Sequence, residues 1–191
     1  NVEGLENWSY EHCLPYFKKI ETRLIGGDDY RGSDGPLYLT TPECTNPLFQ
    51  AWFKAGKQAG YLLTDDVNGY QQEGFGKFDR TTCRGRRHSA ARAYVHPILG
   101  QRSNLELRCR VQVQRIVFEG KRAVGVEIGS EGRREIIRGG EIICSGGAIN
   151  SPQLLQLSGI GCGDDLRALD IDVVHELKGV GENLEDHLEM Y

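Results

Sequence analysis

The sequence has few of the features that mark membrane-spanning, metal-binding or secreted proteins. No apolar run approaches the roughly 20 residues that a bilayer-spanning helix needs, so we expect no membrane-spanning segment in this sequence. The N-terminal residues carry neither a basic region nor an apolar core, and no signal peptide is visible. The six cysteines form no C-x-x-C pair and match no zinc spacing, so we expect no metal site. Reduced cysteines favour an intracellular location, whether the cytoplasm, a membrane surface or, in a eukaryote, the mitochondrion.

The sequence also lacks an excess of positive charge, because its net charge is −4. A general nucleic-acid-binding protein needs a basic face to neutralise phosphates, so we expect no nucleic-acid partner. One basic cluster does occur, and we interpret it as a solvated face or a crossing over acidic groups. It consists of Arg84, Arg86, Arg87, His88 and Arg92. The only methionine is Met190, and the sequence begins at Asn1, which leads us to expect an internal segment of a longer chain.

The first half of the chain predicts two helices separated by loops. Apolar residues at helical spacing indicate a helix over 9–24 with Ser9 as its cap. Asn46, Pro47 and Gly60 predict the two ends of a helix over 47–59. We expect its apolar stripe, Leu48, Trp52, Phe53 and Ala59, to be core. The stretch 61–82 indicates irregular chain with a strand near Phe78, and Ser89 predicts the cap of a short helix.

The second half predicts an antiparallel meander followed by alternating strands and helices. Three strands are indicated over 111–118, 123–128 and 133–138, joined by short Gly-containing links. Residues 142–144 are wholly apolar, as in a strand buried in a parallel sheet, and a helix should open near Ser151. Cys109 and Cys144 lie in apolar runs, so we expect both to be buried. A short helix with Leu166 and Leu169 and a strand over 172–176 should follow.

One longer window carries a specific pattern. The segment GAINSPQLLQLSGIG, residues 147–161, resembles the second signature of the glucose–methanol–choline oxidoreductases and fits it at every fixed position. At three turn positions the chain departs from the usual pattern, since Cys162 and Lys178 replace prolines and Asp170 replaces a glycine. Other segments resemble choline-oxidising members of that family, in the same order and over nearly the whole chain. They are WSYEHCLPYFKKIE, DDYRGSDGPL, DDVNGYQQEGFG, FEGKRAVGVE and GVGENLEDHLEMY.

The resemblance implies an α/β fold, in which the chain supplies part of a doubly wound FAD-binding domain. Residues 104–191 would form that part, with the antiparallel meander, and residues 1–103 a helical and irregular connecting and substrate-side region. The family oxidises an alcohol by hydride transfer to FAD. The G-x-G-x-x-G turn that holds the ADP part of the cofactor in such domains is absent from this sequence. We therefore expect FAD in the full-length protein and no tight binding by this segment alone.

The resemblance also implies three contacts with the cofactor. Val113 opens the meander and is similar to the residue whose backbone meets the adenine in this family, whereas without the resemblance it would be an ordinary strand valine. Ser145 and Gly146 follow the apolar strand, at the position where this architecture places the dinucleotide.

The last residues of the chain resemble a substrate contact. Choline-oxidising members have a glutamate two residues after an Asp-His pair, facing the trimethylammonium head, and Glu189 has this spacing from Asp186-His187. A quaternary ammonium has no N–H to donate, so it must be held by a carboxylate and by aromatic faces, of which Tyr191 is a candidate. The family's catalytic pair, a His with a His or Asn, has no counterpart here. We expect no catalytic residue in this segment and interpret His187 as ordering the tail.

These observations predict an internal part of an FAD-dependent alcohol oxidoreductase that converts choline to betaine aldehyde and is inactive alone. Choline is the expected small-molecule partner, and the sequence identifies no electron acceptor. One alternative is a related enzyme that oxidises another primary alcohol. A second alternative is a stand-alone binding module, which an initiator Met and a complete nucleotide-binding turn would have favoured.

Overall fold

The computed structural model describes residues 4–130 and 133–188, and the chain divides into two compact units. The first unit is Asn1–Glu106 and the second is Leu107–Tyr191. The division therefore falls close to the expected boundary at residues 103 and 104. The roles assigned to the two parts, substrate side and cofactor side, stay predictions.

The first unit begins with a 3₁₀ turn, Glu6–Trp8, and helix α1, Tyr10–Ile20. The helix is shorter than predicted because the chain turns at Glu21 into strand β1, Glu21–Arg23, which pairs in parallel with β2, Leu37–Leu39. Ser9 lies at the N-cap position, but its hydroxyl contacts Nδ1 of His12 at 2.7 Å instead of a backbone N–H. The predicted capping bond is therefore wrong.

Helix α2, Pro47–Gln58, has the ends that its sequence predicts. The Asn46 side chain accepts a hydrogen bond from the N–H of Leu48 at 2.9 Å, and Gly60 follows the helix with a φ of +89°. The prediction that its apolar stripe is core is wrong, because Leu48 is 75% exposed and Trp52 61% exposed. A helix surface is buried only where another element covers it, and the Phe75 ring, 5.4 Å from the Trp52 ring, covers only part of Trp52.

The rest of the first unit is a small hairpin within irregular chain. Strands β3, Thr82–Cys83, and β4, Arg86–Arg87, pair in an antiparallel manner, and the predicted short helix is a π-helical turn, Ala91–Val95. The hydroxyl of Ser89 accepts from the N–H of Arg92 at 3.4 Å, as expected of a cap. The predicted strand near Phe78 is wrong, since single bridges at Phe75 and Arg80 flank an exposed Phe78.

The second unit opens with the predicted antiparallel meander. Its strands are β5, Val113–Glu119, β6, Arg122–Ser130, and β7, Arg133–Arg138, in the order β5-β6-β7. Ile116 and Ile128 are buried on it. The predicted meander is confirmed. It could be predicted because alternating apolar residues and short glycine-containing turns are local features of the sequence.

Four short elements follow the meander. Helix α3, Gly147–Leu157, begins one turn before the predicted opening at Ser151, and strand β8, Ile160–Gly161, comes directly after it. Helix α4, Gly163–Ala168, buries Leu166. Strand β9, His175–Glu176, then pairs in parallel with β8.

The link between the meander and α3 differs from the prediction. Residues 142–144 form no strand, and Ile143 is 81% exposed. A central parallel strand obtains its hydrogen bonds and its burial from strands on both sides, and the described residues supply none here. Cys109 and Cys144, predicted to be buried, are exposed for the same reason. None of the helices described is long and apolar enough to cross a membrane.

Candidate functional site

Val113 lies at the start of β5, the edge strand of the meander. It pairs with Ile128, and the N–H of Gly129 donates to the carbonyl of Gln112 at 3.2 Å beside that pair. A pair flanked in this way is of the non-hydrogen-bonded type, so the N–H and C=O of Val113 point away from β6. The strand edge therefore presents a donor and an acceptor side by side. The carbonyl of Val113 accepts a 3.2 Å hydrogen bond from the Gln112 side chain.

The backbone of Val113 fits the chemistry that the resemblance implies. Adenine has an amino donor next to a ring-nitrogen acceptor, and an N–H beside a C=O is complementary to that arrangement. The half-buried valine side chain leaves these backbone groups at the sheet edge. Its role as an adenine contact remains a prediction.

Ser145 and Gly146 are exposed and lead directly into α3. Gly146 is the N-cap of this helix, and its N–H donates to the hydroxyl of Ser151 at 2.9 Å. A helix N-terminus with small residues lets backbone N–H groups approach an anion, and it carries partial positive charge. The position suits a phosphate of the dinucleotide, and its role as a cofactor contact remains a prediction.

Ser158, at the other end of α3, joins this helix to the meander. Its buried hydroxyl accepts from the N–H of Ile116 at 2.8 Å and donates to the carbonyl of Leu154 at 2.5 Å. The outer edge of β5 and helix α3 are thus tied together by one side chain. This links the two elements that carry Val113 and Gly146.

The tail after β9 crosses α3. The side chain of Gln156 donates to the carbonyl of Val180 at 3.1 Å, where Gly181 packs against the same amide. Further along, the Asp186 carboxylate accepts from the backbone N–H of His187 at 2.8 Å, and both residues are exposed. This bond is local, which fits a role in ordering the tail. Glu189 and Tyr191, the predicted substrate contacts, lie outside the described residues.

The first unit contains a buried charge cluster that sequence reasoning missed. Arg31 pairs with Glu21 at 2.9 Å, with Asp66 at 2.6 Å and with Asp79 at 3.0 Å. Arg23 pairs with Asp66 at 3.2 Å and with Asp79 at 2.9 Å. Only the segments DDYRG and DDVNG hinted at it, through charged residues in glycine-rich loops. The pairing joins positions far apart in sequence, which no local pattern reveals.

Each carboxylate of the cluster is paired with at least one of its two arginines. Burial alone would lower the pKa of Arg31, but its bonds to Glu21 and Asp66 and their charges outweigh burial and raise it. Burial would likewise raise the pKa of Asp66, but the N–H of Asn68 and the nearby arginines hold it below its usual 3.8. Both arginines are engaged by carboxylates, so the cluster organises the loops rather than offering a free acid or base.

The side chains of the basic cluster predicted from the sequence are either bonded within the first unit or exposed. Nδ1 of His88 accepts from the N–H of Tyr38 at 3.0 Å, and the two rings stack at 4.9 Å. Arg84, Arg86, Arg87 and Arg92 are exposed around the β3–β4 hairpin. In the part of the chain that the structure describes, no three metal-binding side chains come together.

Comparison with known sequences gives one family over nearly the whole chain. The family model described as GMC oxidoreductase matches residues 1–189. A mitochondrial choline dehydrogenase of Mus musculus is 54% identical over 99% of this chain and 32% of its own length. An oxygen-dependent choline dehydrogenase of Chromohalobacter salexigens is 57% identical over 98% of this chain and 34% of its own. The chain thus spans about a third of the length of these relatives.

Solved structures agree with the sequence comparison. Pyridoxine 4-oxidase from Mesorbium loti superposes on 89% of this chain and 34% of its own, with a TM-score of 0.82 and 29% identity. An FAD-dependent oxidoreductase from Chaetomium thermophilum covers 92% of this chain and 33% of its own, with a TM-score of 0.84 and 28% identity. These neighbours confirm the α/β fold class. The family model over residues 1–189 establishes that the chain belongs to the GMC oxidoreductase family, in agreement with the signature at 147–161.

Proposed function

We propose that this chain is part of a flavoprotein that oxidises choline to betaine aldehyde by hydride transfer to FAD. The observation that carries the proposal is the 54% and 57% identity to two choline dehydrogenases over almost the whole chain. When bound, FAD would supply the hydride acceptor. The chain itself would hold the cofactor and read the substrate's charge.

The cofactor side of the proposal has geometric support. Val113 directs an N–H and a C=O outward at the edge of β5, which suits the adenine, and the N-terminus of α3 with Ser145 and Gly146 suits the phosphates. The Ser158 hydroxyl ties the two elements together through Ile116. The backbone at both positions already has its direction, so that only the side chains of Gln112 and Ser151, which now bond to it, would have to move when the cofactor binds.

The remaining cofactor and substrate contacts would come from outside this segment. The sequence has no G-x-G-x-x-G turn, and large apolar side chains such as Trp52 and Ile143 are exposed. We propose that further parts of a longer protein cover these side chains and complete the site. The segment alone is then expected to be inactive.

The substrate side of the proposal rests on Glu189. A carboxylate about 5 Å from a quaternary ammonium, at an effective dielectric of about 20, contributes roughly 3 kcal/mol. Desolvation of the carboxylate offsets part of this, which leaves a net ~1–3 kcal/mol, or about one to two decades in affinity. A neutral alcohol of the same shape would gain none of it.

The test is Glu189→Gln in the full-length protein, with choline and its neutral isostere 3,3-dimethylbutanol as substrates. Choline should bind about one to two decades more weakly, while the isostere should lose little. Glu185→Gln, four residues earlier in the same tail, is the matched control and should change neither. Equal losses for both substrates would mean that Glu189 does not recognise the positive charge, and another primary alcohol would then replace choline as the proposed substrate.

A further inference from the structure

Strand β5 contains a β-bulge near the start of its pairing with β6. Val113 lies opposite Ile128, and the next partner pair is Arg115 with Glu127, so Gln114 is an extra residue. Backbone groups in a regular strand alternate sides at each residue. Val113 and Ile116 are three residues apart and would face opposite edges without the bulge. With it, both face away from β6, as the bond from Ile116 to Ser158 shows.

Two hydrogen bonds to Gly129 hold the bulge in place. The side-chain amide of Gln114 donates to the carbonyl of Gly129 at 2.8 Å, and the N–H of Gly129 donates to the carbonyl of Gln112 at 3.2 Å. Gly129 has a φ of +132°, and an added Cβ would collide with the carbonyl of Arg133. The bulge is therefore held by bonds from both strands, and Gly129, which makes two of them beside it, is kept as glycine by its φ and by the approach of β7.

The Ser158 hydroxyl forms its hydrogen bond at the strand edge that the bulge creates. It binds the N–H of Ile116, which the extra residue has turned outward next to Val113. Removing the extra residue would leave only one of these two positions facing outward. Either the bond to α3 or the outward groups of Val113 would then be lost.

We propose that the bulge at Gln114, with the Ser158 hydroxyl, positions the backbone of Val113 to receive the adenine of FAD. Gln114 and Ser158 are positioning residues, since they act through the backbone of Val113 and do not touch the cofactor. The inference rests on the proposed function, because it assigns the adenine to this sheet edge.

The test is deletion of Gln114 in the full-length protein, with affinities for FAD and FMN measured on the apoprotein by flavin fluorescence. Two backbone hydrogen bonds to adenine correspond to about a 5- to 150-fold change in affinity. The deletion should weaken FAD binding within that range. FMN lacks the adenine, so its affinity should stay within about twofold, since none of those bonds involves it.

Deletion of Val124 is the matched control. It is the extra residue at the second irregularity of the same meander, where Val117 faces Gly125 and Phe118 faces Ala123. Its removal should leave both affinities unchanged. If the Gln114 deletion does not fold, the FAD and FMN affinities of Gln114→Val and Ser158→Ala are measured instead. In both variants the affinity for FAD should fall by a smaller factor, and the affinity for FMN should not change.

The outcomes separate this inference from the proposed function. A loss confined to FAD supports the positioning role. Equal losses for FAD and FMN, or no loss for either, overturn it, because the bulge would then be a general scaffold element or irrelevant. If the unmodified full-length protein binds no FAD, the proposed function itself fails, whatever the variants do.

Discussion

The Ser158 hydroxyl is the contact whose removal gives the clearest energetic prediction. Ser158→Ala leaves the buried N–H of Ile116 without its acceptor, which costs about 1–3 kcal/mol. It also removes the bond to the carbonyl of Leu154, worth about 0.5–1.5 kcal/mol. The sum is roughly 1.5–4.5 kcal/mol. A cavity of about 460 Å³ borders Ile116 and Ser158, and water entering it would move the cost toward the lower end.

The assay is amide hydrogen exchange in the full-length protein, read for the segment 113–119. The free energy of opening of this segment should fall by about 1.5–4.5 kcal/mol in Ser158→Ala. Ser151→Ala is the control on the same helix, since it removes one exposed bond to the N–H of Gly146 and should cost only about 0.5–1.5 kcal/mol. If both variants lower protection of 113–119 equally, the buried bond between α3 and β5 does not stabilise the meander as argued.

Three further predictions follow from named contacts. Asp170→Gly should raise the free energy of unfolding, measured by urea titration, by up to about 1 kcal/mol, because Asp170 has a φ of +56° that glycine adopts without strain. The control Asp164→Gly, in the first turn of α4, should lower it by a similar amount. The pKa of Asp66 is lower in the folded state than its usual 3.8, so the unfolded state binds more protons there. Its contribution to stability is complete above that value and is lost as the pH falls through it and below, and an acid titration of Asp66→Asn should show a shallower acid limb. The 191-residue piece alone should bind no FAD at micromolar concentration and reduce no dye with choline, and tight one-to-one binding or choline-dependent reduction would show that it is self-sufficient.

The elements that the sequence predicts correctly are those defined by local chemistry. Asn46 and Pro47 specify the start of α2 by themselves, and the meander follows from alternation and short turns. The glycine expected at position 170 also has a local reason. Asp170 stands at the left-handed position after α4, where the N–H groups of Asp170 and Ile171 bond back to Arg167 and Leu166, a motif that favours glycine.

The failed predictions concern burial, which depends on partners distant in sequence. Residues 142–144 have the composition of a central strand, but a strand forms only beside other strands. The apolar stripe of α2 likewise predicts a buried face without specifying what covers it, and Leu48 and Trp52 remain exposed. Periodicity gives the face of an element, while the covering element comes from the tertiary fold.

The candidate site was only partly predictable. The family resemblance singled out Val113, Ser145 and Gly146, but not the backbone direction at Val113, which depends on the register of β5 against β6. The charge cluster around Arg31 was missed because its partners come from separate loops. Register and long-range ion pairs are properties of the folded chain.

We propose that this chain is part of an FAD-dependent enzyme that oxidises choline. The most direct measurement is the flavin absorption spectrum of the full-length protein, purified and mixed with choline in the absence of oxygen. We predict a bound flavin whose oxidised absorption band bleaches on addition of choline as betaine aldehyde forms. A full-length protein that carries flavin but keeps its oxidised spectrum with choline would contradict the account.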